Sequence, residues 1–252
     1  IYEAASQPAP TKIDLVNNFT SIRIKDLDYR YNRDLQLYYQ NGSKTSTPQK
    51  ANMSTYTAGR DGVWITDAFK GVDAEIAFRQ NAIKTNFIIK DKSIIDPNSE
   101  YLIIDDPVEL PDGFSIVEED VDGYYLQNGD WKGDIIIKNQ FGLNYIRIEK
   151  PVVLDQNKEK THDREQVDAV AYQIIKTEKG FIIRLRVNTK WLLNTERKYP
   201  VVVDPTLIGE ATYVAGDIGF EFDGLCWNEA DYCNYFLDIT VPGKTTLTDA
   251  YF

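Results

Sequence analysis

The feature that most constrains this chain is a period-two alternation of apolar and polar residues, repeated in short runs that each close on Asn, Gly, Asp or Ser. In SIRIK, Ile22 and Ile24 share one face while Arg23 and Lys25 share the other. Successive side chains of a strand point to opposite faces, so the pattern belongs to a sheet covered on one side and wet on the other. The reading extends through SIRIKDLDYRY, LQLYYQ and GVWITDAF, and then through DAEIAF, TNFIIKD, EYLIIDD, FSIVEED, GDIIIKN and NYIRIEK. Turn chemistry such as DPNSE and LPDGF stands between the runs. With no helical stretches separating them, the strands point to antiparallel sandwiches and away from βαβ units. Composition agrees, since 16 Tyr, 11 Phe and 4 Trp suit a half-buried pleated surface and Met occurs once.

The expected fold is all-β: an antiparallel β-sandwich-like module over residues 12–206, in one or two units. An N-terminal tail, 1–11, precedes it, because IYEAASQPAPTK is polar and carries Pro. Residues 207–252 are expected to begin a second, cysteine-bearing β-domain, since the chain turns Gly-rich and acidic in GEATYVAGDIGFEFDG and stops on the apolar run Ala250 to Phe252. The rest of that domain would lie beyond Phe252. Within the module, DQNKEKTHDREQVDA reads as a solvated loop and AVAYQIIKTEKGFIIRLRVN as a hairpin whose Gly180 supplies a positive φ. WLLNTERK reads as a short helix or 3₁₀ turn before the strand YPVVVD, with Pro200 at its first position.

Charge narrows the partners. Lys and Arg number 28 against 39 Asp and Glu, a net charge of −11. Such a balance repels phosphate backbones and lacks a basic stripe, so nucleic acid is not an expected partner. No run approaches the roughly 18 apolar residues of a membrane helix, so no membrane span is expected. The chain starts at Ile1 with no Met or basic-apolar leader, and is expected to be soluble and to follow a segment removed or unseen.

Chemistry-bearing motifs are sparse. The one histidine, His162, sits in KEKTHDREQ without the neighbouring ligands that zinc needs, and reads as solvated. No cofactor is expected. Calcium at DVDG (120–123) or at DQNKEKTHDREQ would need the terminal acid or the sharp-turn Gly that each lacks, so turns and solvated faces are the preferred readings. There is no GxSxG elbow and no HExxH, and no serine pattern accompanies His162. Two carboxylates alone could serve a glycosidase, yet nearly every acid stands in turn context. Among the tryptophans, Trp64 and Trp191 read as core, whereas Trp131, in QNGDWKGD, reads as the better candidate for exposure. With Tyr124 and Tyr125 it forms a possible stacking platform for sugar rings. In YPVVVDPT, Asp204 and Pro205 read as a domain-boundary turn in preference to a catalytic acid, because no catalytic partner for Asp204 is visible. Cys226 and Cys233, six residues apart in CWNEADYC, fit a disulfide, two free thiols, or pairing with cysteines beyond the chain.

A resemblance adds to these readings. WITDAFKGVDAEIAFRQNAIKTNFIIKD, DDPVELPDGF, EKPVVLDQN and WLLNTERKYPVVVDPT, taken in order over roughly residues 56–206, resemble an all-β module near the N-termini of large secreted bacterial surface proteins. These include wall-associated and repeat-bearing toxins and, especially, Bacteroidota proteins exported by the type IX secretion system. The tail CWNEADYCNYFLDITVPGKTTLTDAYF is similar to a cysteine-bearing β-region of Bacteroidota gliding and adhesion-type proteins. The resemblance implies an extracellular, disulfide-permissive setting for Cys226 and Cys233, and it carries no catalytic residues.

The function expected from sequence is that of a non-enzymatic display module of a secreted or cell-surface, adhesin or gliding-type protein. Its partners would be further domains of the same polypeptide, a secretion-machinery component and a surface glycan. The competing expectation is a carbohydrate-binding accessory module of a glycan-active enzyme.

Overall fold

The computed structural model describes residues 1–4, 10–24, 27–79, 82–118, 129–131, 133–156, 169–178, 180–209, 239–241 and 245–247. The chain forms two compact units, Ile1–Ala211 and Thr212–Phe252. In both, every strand pairing among the described residues is antiparallel, and the protein is all-β and sandwich-like.

Three sheets build the first unit. The smallest is a meander of β1 (Tyr2–Ala4), β2 (Thr11–Asp14), β3 (Phe19–Ile24) and β4 (Leu27–Tyr31). The alternation in SIRIK is realised here: Ile22 and Ile24 are buried and Arg23 is exposed. A correction falls at the start of the chain, where Tyr2–Ala4 pairs with Thr11–Asp14 instead of trailing as part of a tail.

The second sheet runs β17 (Val170–Thr177), β18 (Gly180–Asn188), β12 (Tyr101–Val108), β5 (Gln36–Asn41) and β6 (Lys44–Thr45), with β7 (Gln49–Lys50) also paired to β5. The hairpin read from sequence is β17–β18, in which Thr177 pairs with Gly180. Gly180 has φ +145°, and a Cβ there would stand 2.3 Å from the Val108 carbonyl oxygen, so only glycine fits. The short helix after β18 is α1 (Thr189–Leu192), which starts two residues earlier than the expected WLLNTERK and shares only Trp191 and Leu192 with it; its first turn is capped by Asn188, whose side chain accepts from the backbone N–H of Lys190 and Trp191.

The third sheet holds β8 (Tyr56–Ala58), β9 (Gly62–Phe69), β10 (Val72–Arg79), β11 (Ala82–Ile89), β13 (Ser115–Glu118), β14 (Ile135–Lys138), β15 (Asn144–Ile148), β16 (Val152–Leu154), β19 (Val201–Asp204) and β20 (Thr206–Gly209). Alternate residues of its strands enter the core: Ile83, Thr85, Phe87 and Ile89 on β11, and Val201, Val203 and Leu207 on β19 and β20. All of these but Thr85 join Ile104, Leu185 and Val187 of the second sheet and Ile13, Ile22 and Tyr29 of the first in one continuous apolar cluster.

The boundary expected at Thr206 is corrected. Val203 pairs with Phe87 and Thr206 with Lys84, so the register along β11 passes through Asp204 and Pro205 without a slip. β19 and β20 are one strand interrupted at Pro205, which has no N–H to give; its carbonyl still accepts from Thr85 N–H at 3.2 Å. What changes at this point is the outer neighbour, from β16 before it to β15 after it. In the second unit, β21 (Ile239–Val241) and β22 (Thr245–Leu247) form an antiparallel pair.

Candidate functional site

The polar groups that hold the three sheets together converge where β4 passes into β5. Asn32, in the left-handed region at φ +59° and 4% exposed, bonds to all three. Its backbone N–H donates to both carboxylate oxygens of Asp106 on β12, at 3.0 and 3.1 Å. Its side-chain amide donates to Thr20 Oγ1 on β3 at 3.3 Å and to Thr85 Oγ1 on β11 at 3.2 Å. Asn tolerates this backbone region because its short polar side chain bonds locally, which makes it suited to a turn that must also be a joint.

β12 delivers two adjacent acids to opposite faces. Asp106 turns inward and, with Tyr31, Asn32, Thr85 and Tyr172, lines a small cavity of about 50 Å³. Burial pushes its carboxyl up to about 7, helped by the charges of Asp105 and Asp34 and opposed by the Asn32 N–H. Burial also lifts Tyr29 and Tyr31 well above the usual phenol range, with the Asp106 charge adding to both. Asp105 turns outward into an ionic network. Arg184 binds it through two parallel bonds of 2.7 and 2.9 Å, and Tyr38 O–H donates to it at 2.9 Å. Beside that pair Arg186 binds Asp130 and lies 3.8 Å over the Tyr101 ring, and Gln173 donates to Asp130 at 2.9 Å.

Next to this joint a surface cleft of about 560 Å³ opens between β4 and the Pro107 end of β12, a volume suited to a small ligand. Apolar Pro107, Leu110 and Phe181 share its walls with Arg30, Arg33 and Asp34. Arg30 is occupied, donating to Asp28 at 3.0 Å and stacking 5.0 Å from the Phe19 ring. Arg33, Asp34 and Glu109 are exposed and face the same open volume, which brings a guanidinium together with carboxylates. Among the described residues no group of three or more His, Cys, Asp or Glu side chains is placed to hold a metal ion.

The residues singled out from sequence lie elsewhere. Trp131 is fully buried, a correction to its expected exposure. Its backbone exchanges two 2.7 Å bonds with Tyr172, and its indole N–H donates to the Asp134 carbonyl at 2.8 Å. No ring face is left there for stacking. Tyr124, Tyr125, Cys226, Cys233, His162 and the calcium candidate 120–123 lie outside the described residues. Trp64, read as core, is 40% exposed on the outer face of β9. Asp204 pairs with Lys84 Nζ at 2.5 Å and accepts from Thr206 Oγ1 at 3.0 Å, which makes it a brace within a strand and no domain terminus. Sequence reading passed over Asn32, Asp105 and Asp106. Two consecutive acids inside YLIIDDPV carried the available signal, because alternation must send one of them into the core.

The fold and these sites define an all-β unit with a buried polar joint and an open charged cleft. Three curated proteins are similar to it in sequence, all Bacillus nucleases. The tRNA3(Ser)-specific nuclease WapA of Bacillus spizizenii is 24% identical over 218 residues, which is 83% of this chain and 8% of the relative. The tRNA nuclease WapA of Bacillus subtilis and the tRNA(Glu)-specific nuclease WapA of Bacillus subtilis subsp. natto are each 32% identical over 75 residues, 29% of this chain and 3% of theirs. The chain thus spans less than a tenth of the length of the relatives it matches. No family model and no solved structure matches it. These matches overturn the expected non-enzymatic, adhesin or gliding-type display module, and with it the glycan-binding alternative: the relatives are named as enzymes acting on tRNA. Residue composition could not reveal this, because the activity in those names belongs to proteins more than ten times longer than the matched segment.

Proposed function

We propose that this chain is part of a large nuclease polypeptide that acts on tRNA. The observation that carries the reading is the match over 83% of the chain to a protein named as a tRNA-specific nuclease. Within the described residues, the cleft holding Arg33, Asp34 and Glu109 is the place where a phosphodiester would meet a guanidinium and carboxylates together. That combination serves charge stabilisation and general-base chemistry without a metal. On the strength of the sequence resemblance, the polypeptide is assigned to a secreted or cell-surface setting.

The test is cleavage of purified tRNA by the full-length polypeptide, beside the same polypeptide carrying Arg33→Ala or Asp34→Asn. Cleavage that both substitutions slow supports nuclease function with this cleft taking part. Cleavage indifferent to both removes the cleft from the reaction and leaves the nuclease assignment in place. A folded full-length polypeptide that leaves every tRNA intact refutes the assignment.

A further inference from the structure

The joint and the cleft share their two central residues' neighbours in the chain. Asn32, whose N–H donates to both oxygens of Asp106, is followed by Arg33 and Asp34, which line one wall of the cleft. Asp106 is followed by Pro107, which lines the other. The pairing of β5 with β12 runs from Gln40 and Tyr101 to Gln36 and Asp105 and ends there. Past that point, among the described residues, the bonds from Asn32 N–H to Asp106 are the polar link that holds the turn carrying Arg33 against β12.

The acceptor in that link is poorly provided for as an anion. Tyr31 on β4 and Tyr172 on β17, which share its cavity, are phenols that burial keeps neutral, and so is the neighbouring Tyr29. β11, β15, β18 and β20 present only Thr85 and apolar side chains to the cavity. Arg184 is taken up by Asp105 on the opposite face of β12, and among the described residues no cation pairs with Asp106. The charges of Asp105 and Asp34 that act on it are both negative, so the carboxyl holds its proton up to about pH 7. Once ionised it needs hydration, and a cavity of about 50 Å³ has room for only a few water molecules. Full hydration requires the turn to move off β12.

We infer that Asp106 and Asn32 form a proton-operated clasp on the cleft: with the carboxyl protonated the turn carrying Arg33 and Asp34 is held against β12, and with it ionised that turn is released and Arg33 parts from the Pro107 wall. An ionised acceptor strengthens a single N–H bond, which opposes release. Burial outweighs that bond in setting the carboxyl's proton affinity, so the net effect of ionisation is to loosen the clasp. The direction with pH follows from linkage. Opening returns Asp106 to water and to the ordinary carboxylate range, so opening becomes easier by up to about tenfold for each pH unit between about 4 and 7, and gains nothing further above that. The clasp is a property of the fold and does not rest on the nuclease reading.

The test follows this chain, labelled with ¹⁵N and ¹³C, by NMR between about pH 5 and 8. Amide hydrogen exchange at Asn32, corrected for the intrinsic pH dependence of exchange, is expected to quicken by up to about tenfold per pH unit and to level off above about pH 7. It should stay faster throughout than exchange at Leu185, which pairs with Ile104 in the middle of β12 and β18. The Arg33 side-chain and Phe181 ring resonances, on the cleft walls, are expected to shift with the same midpoint. Asp106→Asn keeps an acceptor for Asn32 N–H but cannot ionise, and is expected to abolish both responses. Arg33 and Phe181 signals that do not follow Asn32, exchange at Asn32 no faster than at Leu185, or a titration that survives Asp106→Asn each overturn the inference. The first two are read on the unaltered chain, so the outcome does not depend on how the variant folds.

Discussion

Replacing Asp106 with Asn probes the joint through its proton. The carboxyl titrates near 3.8 when unfolded and near 7 in the folded protein, because burial disfavours its charged form. Between those values the folded state holds the proton more tightly than the unfolded state does. The Asp106 contribution to stability is therefore greatest below about pH 4, falls as pH rises toward 7, and levels off above it. At roughly 1.4 kcal/mol for each tenfold change in proton affinity, the gap from 3.8 to about 7 amounts to about 4 kcal/mol. That figure is an upper bound, since Asp106 is half-buried and lines a cavity of about 50 Å³ where water would soften the penalty.

Asn is the suitable replacement because its side-chain oxygen can still accept from Asn32 N–H while carrying no charge. Urea unfolding of the parent and of Asp106→Asn at several values between pH 4 and 8 isolates the effect, since all other titrating groups are common to both. The variant should gain on the parent as pH rises, by at least about 1 kcal/mol across the window, with the change centred between pH 4 and 7. Nearby acids and phenols do not reverse the sign: the Asp105 and Asp34 charges raise the carboxyl further, and Tyr29 and Tyr31 stay neutral throughout. A difference between the two proteins that holds constant to about 0.5 kcal/mol over this range would refute the placement of a half-buried, chargeable Asp106 at the joint.

Three further outcomes are expected. Asn32→Gly preserves the left-handed backbone but removes the bonds to Thr20 and Thr85, and should lower unfolding stability by about 1–3 kcal/mol in urea titrations. Gly180→Ala sets a Cβ 2.3 Å from the Val108 carbonyl oxygen at an unfavourable φ, and should cost more than about 2 kcal/mol, seen as a lowered thermal midpoint. Asp105→Ala strips the largely buried Arg184 of its carboxylate and should destabilise by about 3 kcal/mol, more than Arg184 and Asp105 replaced together by apolar residues, as a double-mutant cycle would measure.

Local alternation was enough to read the sheets, because strand identity depends on which of two faces each side chain takes. Ile22 against Arg23, the β17–β18 hairpin and the positive φ at Gly180 are all properties of neighbouring residues, and all appear in the structure. The joint is of another kind. Asn32 reaches Thr85 and Asp106 across 53 and 74 residues, and nothing in the residues flanking Asn32 indicates those partners. Tryptophan environments failed for the same reason. Polar neighbours suggested exposure for Trp131 and apolar neighbours burial for Trp64, yet a pairing with Tyr172 covers the first and a position on the sheet's outer face exposes the second.

Asp204–Pro205 shows how a sound local rule misleads when the lateral partner is unseen. Pro removes one N–H, and a strand paired on both sides would normally lose a ladder bond at that position. Here the position coincides with the handover of the outer neighbour from β16 to β15, where the missing donor falls between two pairings. β11 keeps its own bond through the Pro205 carbonyl and its own salt bridge through Lys84 to Asp204. The Asp-Pro pair therefore lets one strand serve two neighbours in a single sheet. Carrying the strand on to Gly209 is what closes the sheet between β11 and β15, and it buries Leu207 in the core that the joint at Asn32 seals.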